Sequence, residues 1–89
     1  MPQVKIPPPY QGPTEGRAAV EVRGDRVGGC LEDLCRQFPD FRPQLFDAAG
    51  GVHRFVTLFV NGEEIARDAL DTPVGSDDQV EILAAIAGG

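Results

Sequence analysis

The apolar positions of this 89-residue chain change period several times, and each change marks an element. Gln3 to Ile6 is a short β-prone run that stops at Pro7-Pro8-Pro9. Arg17 to Val22 is a second, with Val20 and Val22 one period-2 step apart. Between them, Pro7 to Gly16 is rich in Pro and Gly and reads as a hairpin loop, long for its kind. From Val27 to Phe38 the period becomes helical. Val27, Cys30, Leu31, Leu34, Cys35 and Phe38 fall within an arc of about 140°, and Glu32, Asp33, Arg36 and Gln37 take the other side. Asp25 is the expected N-cap, and Pro39 ends the pattern. Gly28 and Gly29 each cost about 1 kcal/mol relative to alanine inside a helix, so they are expected in a first turn where another backbone packs closely.

Phe41 to Val52 has no clear period and turns at Gly50-Gly51. Arg54 to Val60 is the best strand, but Phe55 and Phe59 alternate with Val56, Leu58 and Val60. Both faces are apolar, so the pattern leaves open which one meets the helix. Asn61-Gly62 follows directly, a strong hairpin signal because both residues accept positive φ. Ile65 lies in a short return segment, and Thr72 to Asp78 is turn-rich, with Pro73 and Gly75. In the last strand, Gln79 to Ala84, Val80 and Ile82 face one way and Leu83 the other, outward beside the chain end. Strand, strand, helix, strand, short strand, strand implies an α+β β-grasp roll, a mixed sheet of about five strands covered by one main helix. Residues 1–84 are expected to form that domain and residues 85–89 a flexible C-terminal tail ending in Gly-Gly.

Composition narrows the function. A chain this short buries roughly 60% of its unfolded surface, enough for one modest core but not for an enclosed active site, so no enzyme is expected. Hydrophobic content of 42% and charged content of 25% are those of a soluble globular protein. The absence of a long apolar run or a leader points to the cytoplasm and away from membranes. A net charge of −6 argues against nucleic acid, since phosphate binding needs a basic stripe. Lys5 is the single lysine, fewer than a protein that links itself into lysine chains would carry. Cys30 and Cys35 match neither redox nor zinc spacing; on one helix they diverge by about 140° and are expected to be core residues. His53 lacks any nucleophile constellation and is expected in a loop or docking role. Pro7-Pro8-Pro9-Tyr10 formally matches a ligand for proline-binding grooves, but a loop joining two strands needs no partner.

The remaining candidate is the chain end. Val60-Asn61-Gly62 after the third strand, Pro73-Val74, Asp78-Gln79-Val80-Glu81-Ile82 and the closing Gly88-Gly89 together resemble the MoaD/ThiS family of ubiquitin-like sulfur carriers. His53-Arg54-Phe55-Val56 and Ala85-Ile86-Ala87-Gly88-Gly89 are similar to the CysO-type carriers of cysteine biosynthesis within it. The chain departs from the family at three places. Ala84-Ala85 stands where many members have two prolines. Asp77 stands where many have glycine, and aspartate tolerates the left-handed region. Glu64 stands at a hydrophobic docking position of the molybdopterin synthase small subunit, which counts against that type of partner.

The resemblance implies a protein co-substrate. A MoeB/ThiF-like enzyme would adenylate Gly89 using its own ATP and magnesium, since the chain has no phosphate-cradling loop. Sulfur would then replace one oxygen, giving a thiocarboxylate. The acceptor is a sulfur-transfer synthase, in the cysteine-type pathway a pyridoxal-phosphate-dependent one, followed by a metalloprotease; thiamin, molybdopterin or a specialised metabolite are the other products. Glycine has no Cβ, so Gly88 and Gly89 suit a narrow channel, and Ala87, Ile86 and Ala85 give access to them. Leu83, Phe59 and His53 are the candidate docking residues. Two other functions are consistent with the sequence: a modifier forming isopeptide bonds through Gly89, and a non-covalent β-grasp interaction module.

Overall fold

The computed structural model describes residues 1–7, 12 and 16–84. Pro8, Pro9 and Tyr10 of the proline-rich loop and the candidate tail, Ala85 to Gly89, lie outside the described residues. The elements are β1 (Gln3–Lys5), β2 (Ala19–Glu21), α1 (Val27–Gln37), a 3-10 turn (Pro39–Phe41), α2 (Arg42–Leu45), β3 (Val56–Val60), β4 (Glu63–Ile65) and β5 (Gln79–Ala84). They form one five-stranded sheet in the order β2-β1-β5-β3-β4. The central β1–β5 pair is parallel and the others are antiparallel. This is the mixed sheet of a β-grasp roll.

Period-2 alternation sends one face of each strand to the helix. Val4, Val20, Val56, Leu58, Val80 and Ile82 are buried there against Val27, Cys30, Leu31, Leu34 and Cys35 of α1. The ambiguity of β3 is thereby settled: Val56 and Leu58 point inward, leaving Phe59 half-buried and Phe55 exposed on the other side. Both cysteines are free and buried, and burial pushes both thiols above their usual pKa, so they are core groups rather than nucleophiles.

The helix start differs from expectation. Its N-cap is Arg26, in extended backbone and without a side-chain cap bond, not Asp25. The first helical N–H groups are already engaged, Val27 donating to the Thr72 carbonyl and Gly28 to that of Leu70, each at 2.9 Å. Asp25 instead contributes its own carbonyl, which accepts from Val74 N–H at 2.9 Å. Gly28 suits this close approach, because a Cβ would sit 3.2 Å from both Cβ and the carbonyl oxygen of Leu70 and would push Leu70 back.

Three other readings change. Asp33, on the expected polar side of α1, is only 7% exposed. Its carboxylate accepts from Arg23 N–H at 2.9 Å and Gln37 Nε2 at 2.9 Å, and it also pairs with Arg36. Those partners offset the cost of burying a charge. The connection after α1 contains a 3-10 turn and the four-residue α2, with Phe41 and Leu45 buried. Finally, Asn61 is the one non-glycine with positive φ among the described residues, so Asp77 is not left-handed. Its turn is closed by Asp78, which accepts from Gly75 N–H at 2.7 Å and donates its own N–H to the Gly75 carbonyl at 3.1 Å.

Candidate functional site

The candidate site is organised by β5, the central strand that leads to the nominated chain end. At its start the strand is tied by side chains. Asn61 and Gly62 adopt φ of 51° and 84°, the doubly positive geometry of a tight hairpin between β3 and β4. That geometry turns the Asn61 amide onto β5: Oδ1 accepts from Gln79 N–H at 2.9 Å, and Nδ2 donates to Asp78 Oδ1 at 2.8 Å. The Asn61 amide, followed by the Gly75 N–H, holds the Asp78 carboxyl below the usual carboxylate range.

At its other end β5 pairs Ala84 with Val56, so its last residue lies beside the start of β3. Leu83 lies opposite Thr57 and is 41% exposed, as the strand alternation predicts. Phe59 lies opposite Glu81 on the same face, a diagonal neighbour of Leu83, and diagonal pairs in a sheet stand about 7–8 Å apart. The structure thus brings two of the three nominated docking residues onto one solvent-facing patch. Phe59 is flanked across the sheet by Glu81 on β5 and Glu64 on β4, which gives the patch an acidic margin.

His53 sits apart from that patch. Its backbone N–H donates to the Leu45 carbonyl at 2.9 Å, and its carbonyl accepts from Val56 N–H at 2.9 Å. Ring Nε2 lies 3.1 Å from the Pro43 carbonyl, an acceptor only, so this nitrogen carries the proton and donates. His53 therefore ties the entry of β3 to α2. It lines an open groove with Arg54, Phe55, Thr57, Glu64 and Arg67, at the end of β3 beside the last residue of β5. Phe55, 40% exposed with the Arg54 guanidinium 5.2 Å from its ring centre, is a surface residue that sequence reasoning did not nominate. The available signal was its alternation against Val56 and Leu58, which needed only the buried face of β3 to be known.

Among the described residues, no group of three His, Cys, Asp or Glu side chains could hold a metal ion, and no helix is long and apolar enough to cross a membrane. What the sheet offers is a central strand anchored at its start, an apolar exposed residue just before its end, and the chain end beyond.

Comparison with known proteins gives that layout a context. The ThiS family model matches residues 9–89. Sulfur carrier protein CysO of Mycobacterium tuberculosis is 35% identical over 89 residues, covering 97% of this chain and 96% of CysO. Its solved structure superposes with a TM-score of 0.86 at 31% identity, over 97% of this chain and 100% of that one. The structure of the Amycolatopsis orientalis BexX/CysO complex contains a chain that matches with a TM-score of 0.88 and 29% identity, each chain fully covered. Small archaeal modifier protein 1 of Haloferax volcanii shares the fold, with a TM-score of 0.81 at 23% identity over 99% of this chain and 98% of that one. A family match that covers the helix, four of the five strands and the nominated chain end, together with a relative this similar over nearly its full length, shows that the chain belongs to the ThiS family.

Proposed function

We propose that this protein is a sulfur carrier that works through the carboxyl group of Gly89 and performs no catalysis of its own. The observation that carries the reading is the family match running through Gly88-Gly89, on a chain whose central strand leads directly to them. A free carboxylate does not react with sulfur donors near neutral pH. Its oxygen attacks the α-phosphorus of ATP, pyrophosphate leaves, and the acyl-adenylate then accepts a sulfur nucleophile as AMP departs. The product is a thiocarboxylate; its sulfur bonds to the acceptor, and cleavage of the acyl link by water returns Gly89 to the free carboxylate. A MoeB/ThiF-like enzyme supplies ATP, magnesium and the closed pocket; the carrier supplies the carboxylate on the access segment Ala85, Ile86, Ala87 and Gly88, whose alanines and glycine keep it narrow near the reacting end.

Leu83 and Phe59 are the residues that would meet the activating enzyme, because they share the exposed face that ends at Ala84. His53 serves the same surface indirectly by fixing the entry of β3. The identity to CysO favours an acceptor of the cysteine-synthase type, dependent on pyridoxal phosphate, with a metalloprotease releasing the product. The relative in a BexX/CysO complex supports a carrier that docks stably on a partner protein.

The test is intact mass after incubation with ATP, the activating enzyme and sulfide. A gain equal to one oxygen-to-sulfur exchange on Gly89, absent from a chain lacking Gly89, is the expected result. No exchange, or equal loading without Gly89, overturns the proposal. Gly-Gly remnants on lysines of other proteins, in place of sulfur exchange, would assign the chain to the modifiers instead.

A further inference from the structure

We infer that Asn61-Gly62 is a latent deamidation site that the fold holds shut, and whose conversion unties the start of β5. The same two residues carry two chemistries. The hairpin needs positive φ at both, which selects Asn and Gly. Yet glycine after asparagine leaves the next backbone nitrogen without a side chain to shield it. Deprotonated Gly62 N can attack Asn61 Cγ, ammonia leaves, and a succinimide forms; water then opens the ring to aspartate or isoaspartate. Both residues are exposed, and nothing lies within 4 Å of where a Gly62 Cβ would be, so water has access to the site.

The attack requires the Asn61 carboxamide to swing toward Gly62, and the structure holds it the other way. Oδ1 accepts from Gln79 N–H at 2.9 Å and Nδ2 donates to Asp78 Oδ1 at 2.8 Å. Asn61 N–H also donates to the Gln79 carbonyl at 2.9 Å. The two side-chain bonds must open before the ring can close, and the backbone bond holds the hairpin against β5 meanwhile. Deamidation is therefore gated by local opening of the β3–β4 hairpin from β5.

The product cannot restore the tie. An aspartate has no amide hydrogen for Asp78, and two carboxylates would face each other where a donor and an acceptor now meet. An isoaspartate adds a methylene to the main chain and spoils the two-residue turn. Either product frees Asp78, which also closes the Gly75 turn. The change is thus irreversible and is transmitted to the strand that leads to Gly89.

The probe is the intact protein, aged at mildly alkaline pH and mapped by peptide mass spectrometry for the one-unit mass gain and for isoaspartate at position 61. A synthetic peptide spanning residues 57–66 and the same chain in strong urea are aged beside it. The native protein is expected to deamidate at Asn61 at least about tenfold more slowly than either, the factor a modest opening equilibrium imposes. Asp78→Ala, which removes the Nδ2 partner, is expected to narrow that gap while far-ultraviolet circular dichroism stays native. Equal rates in native protein and peptide overturn the inference without any variant. So does an unchanged rate in a folded Asp78→Ala chain, or an Asn61→Asp chain with the melting temperature of the wild type.

Discussion

Two neighbouring residues of β5 divide the molecule's work. Ile82 is fully buried opposite Leu58, under α1; Leu83, the next residue, is 41% exposed opposite Thr57. The same contrast separates the ends of the strand. At Gln79 it is tied by the Asn61 amide and the Asp78 carboxylate, whereas at Ala84 its named partner is Val56. Anchoring belongs to the inner face and the start; under the proposed function, presentation would fall to the outer face and the exit. A carrier that must offer its end to a partner without unfolding needs both on one strand.

The comparison breaks most visibly at Ile82. Ile82→Ala removes a fully buried side chain of the core cluster, opposite Leu58, and is expected to cost about 2–5 kcal/mol in urea unfolding. Loading of the folded fraction should remain, since the outer face is untouched. A cost below about 1 kcal/mol would mean that β5 is not the strand that anchors the core.

Next in size is Asp33. Asp33→Ala leaves Arg23 N–H and Gln37 Nε2 without their acceptor and is expected to destabilise by about 1–3 kcal/mol. The Arg36 pair adds little, because Arg36 itself is largely exposed. Arg36→Ala should therefore cost far less, and equal costs would place the stabilisation in the ion pair rather than in the hydrogen bonds.

Asp33 also marks the limit of what periodicity can reveal. The helical arc of α1 is readable because six apolar residues share it, and β5 spans Gln79–Ala84 as the alternation says. Asn61-Gly62 is legible because few other pairs accept φ of 51° and 84°. Asp33 is buried for a reason no local window contains: its acceptor oxygens meet Arg23, ten residues away. The Asp25 cap fails in the same way, since the carbonyls of Leu70 and Thr72 reach the helix first. The four residues of α2, Pro43 among them, are too few to establish a period. Of the site, the outward Leu83 could be read from the chain, by its alternation with Val80 and Ile82. Phe55 could not, because both faces of β3 are apolar and only packing chooses between them.

A third prediction concerns the tied end of β5. The carboxyl of Asp78 is held below its ordinary range in the fold by Asn61 and Gly75, so it binds protons more weakly there than in the unfolded chain. The stability it contributes is fully present above the unfolded carboxylate value, about 3.9, and is lost as pH falls through the lower folded value. The melting temperature of Asp78→Asn should thus lie furthest below wild type near neutral pH and converge with it in acid. A gap that does not close with acid would mean that the side chain acts by shape alone.

The smallest stability effect, and the most informative, is expected at Leu83. Leu83→Ala trims a side chain on the solvent face, outside the buried core, so its unfolding free energy should stay within about 0.5 kcal/mol of wild type. If the outer face docks the activating enzyme, the same change removes an apolar contact at the interface and raises KM for the carrier about tenfold, equivalent to about 1.4 kcal/mol. Phe59→Ala should act in the same direction, and the two should be less than additive, because they are diagonal neighbours on one patch. Phe55→Ala separates two versions of the surface. Loss of loading there would extend the docking face to the groove beside His53, whereas normal loading would confine it to β5 and the middle of β3. A Leu83→Ala chain that loads sulfur with wild-type KM would remove the outer face from the mechanism and leave recognition to the segment beyond Ala84.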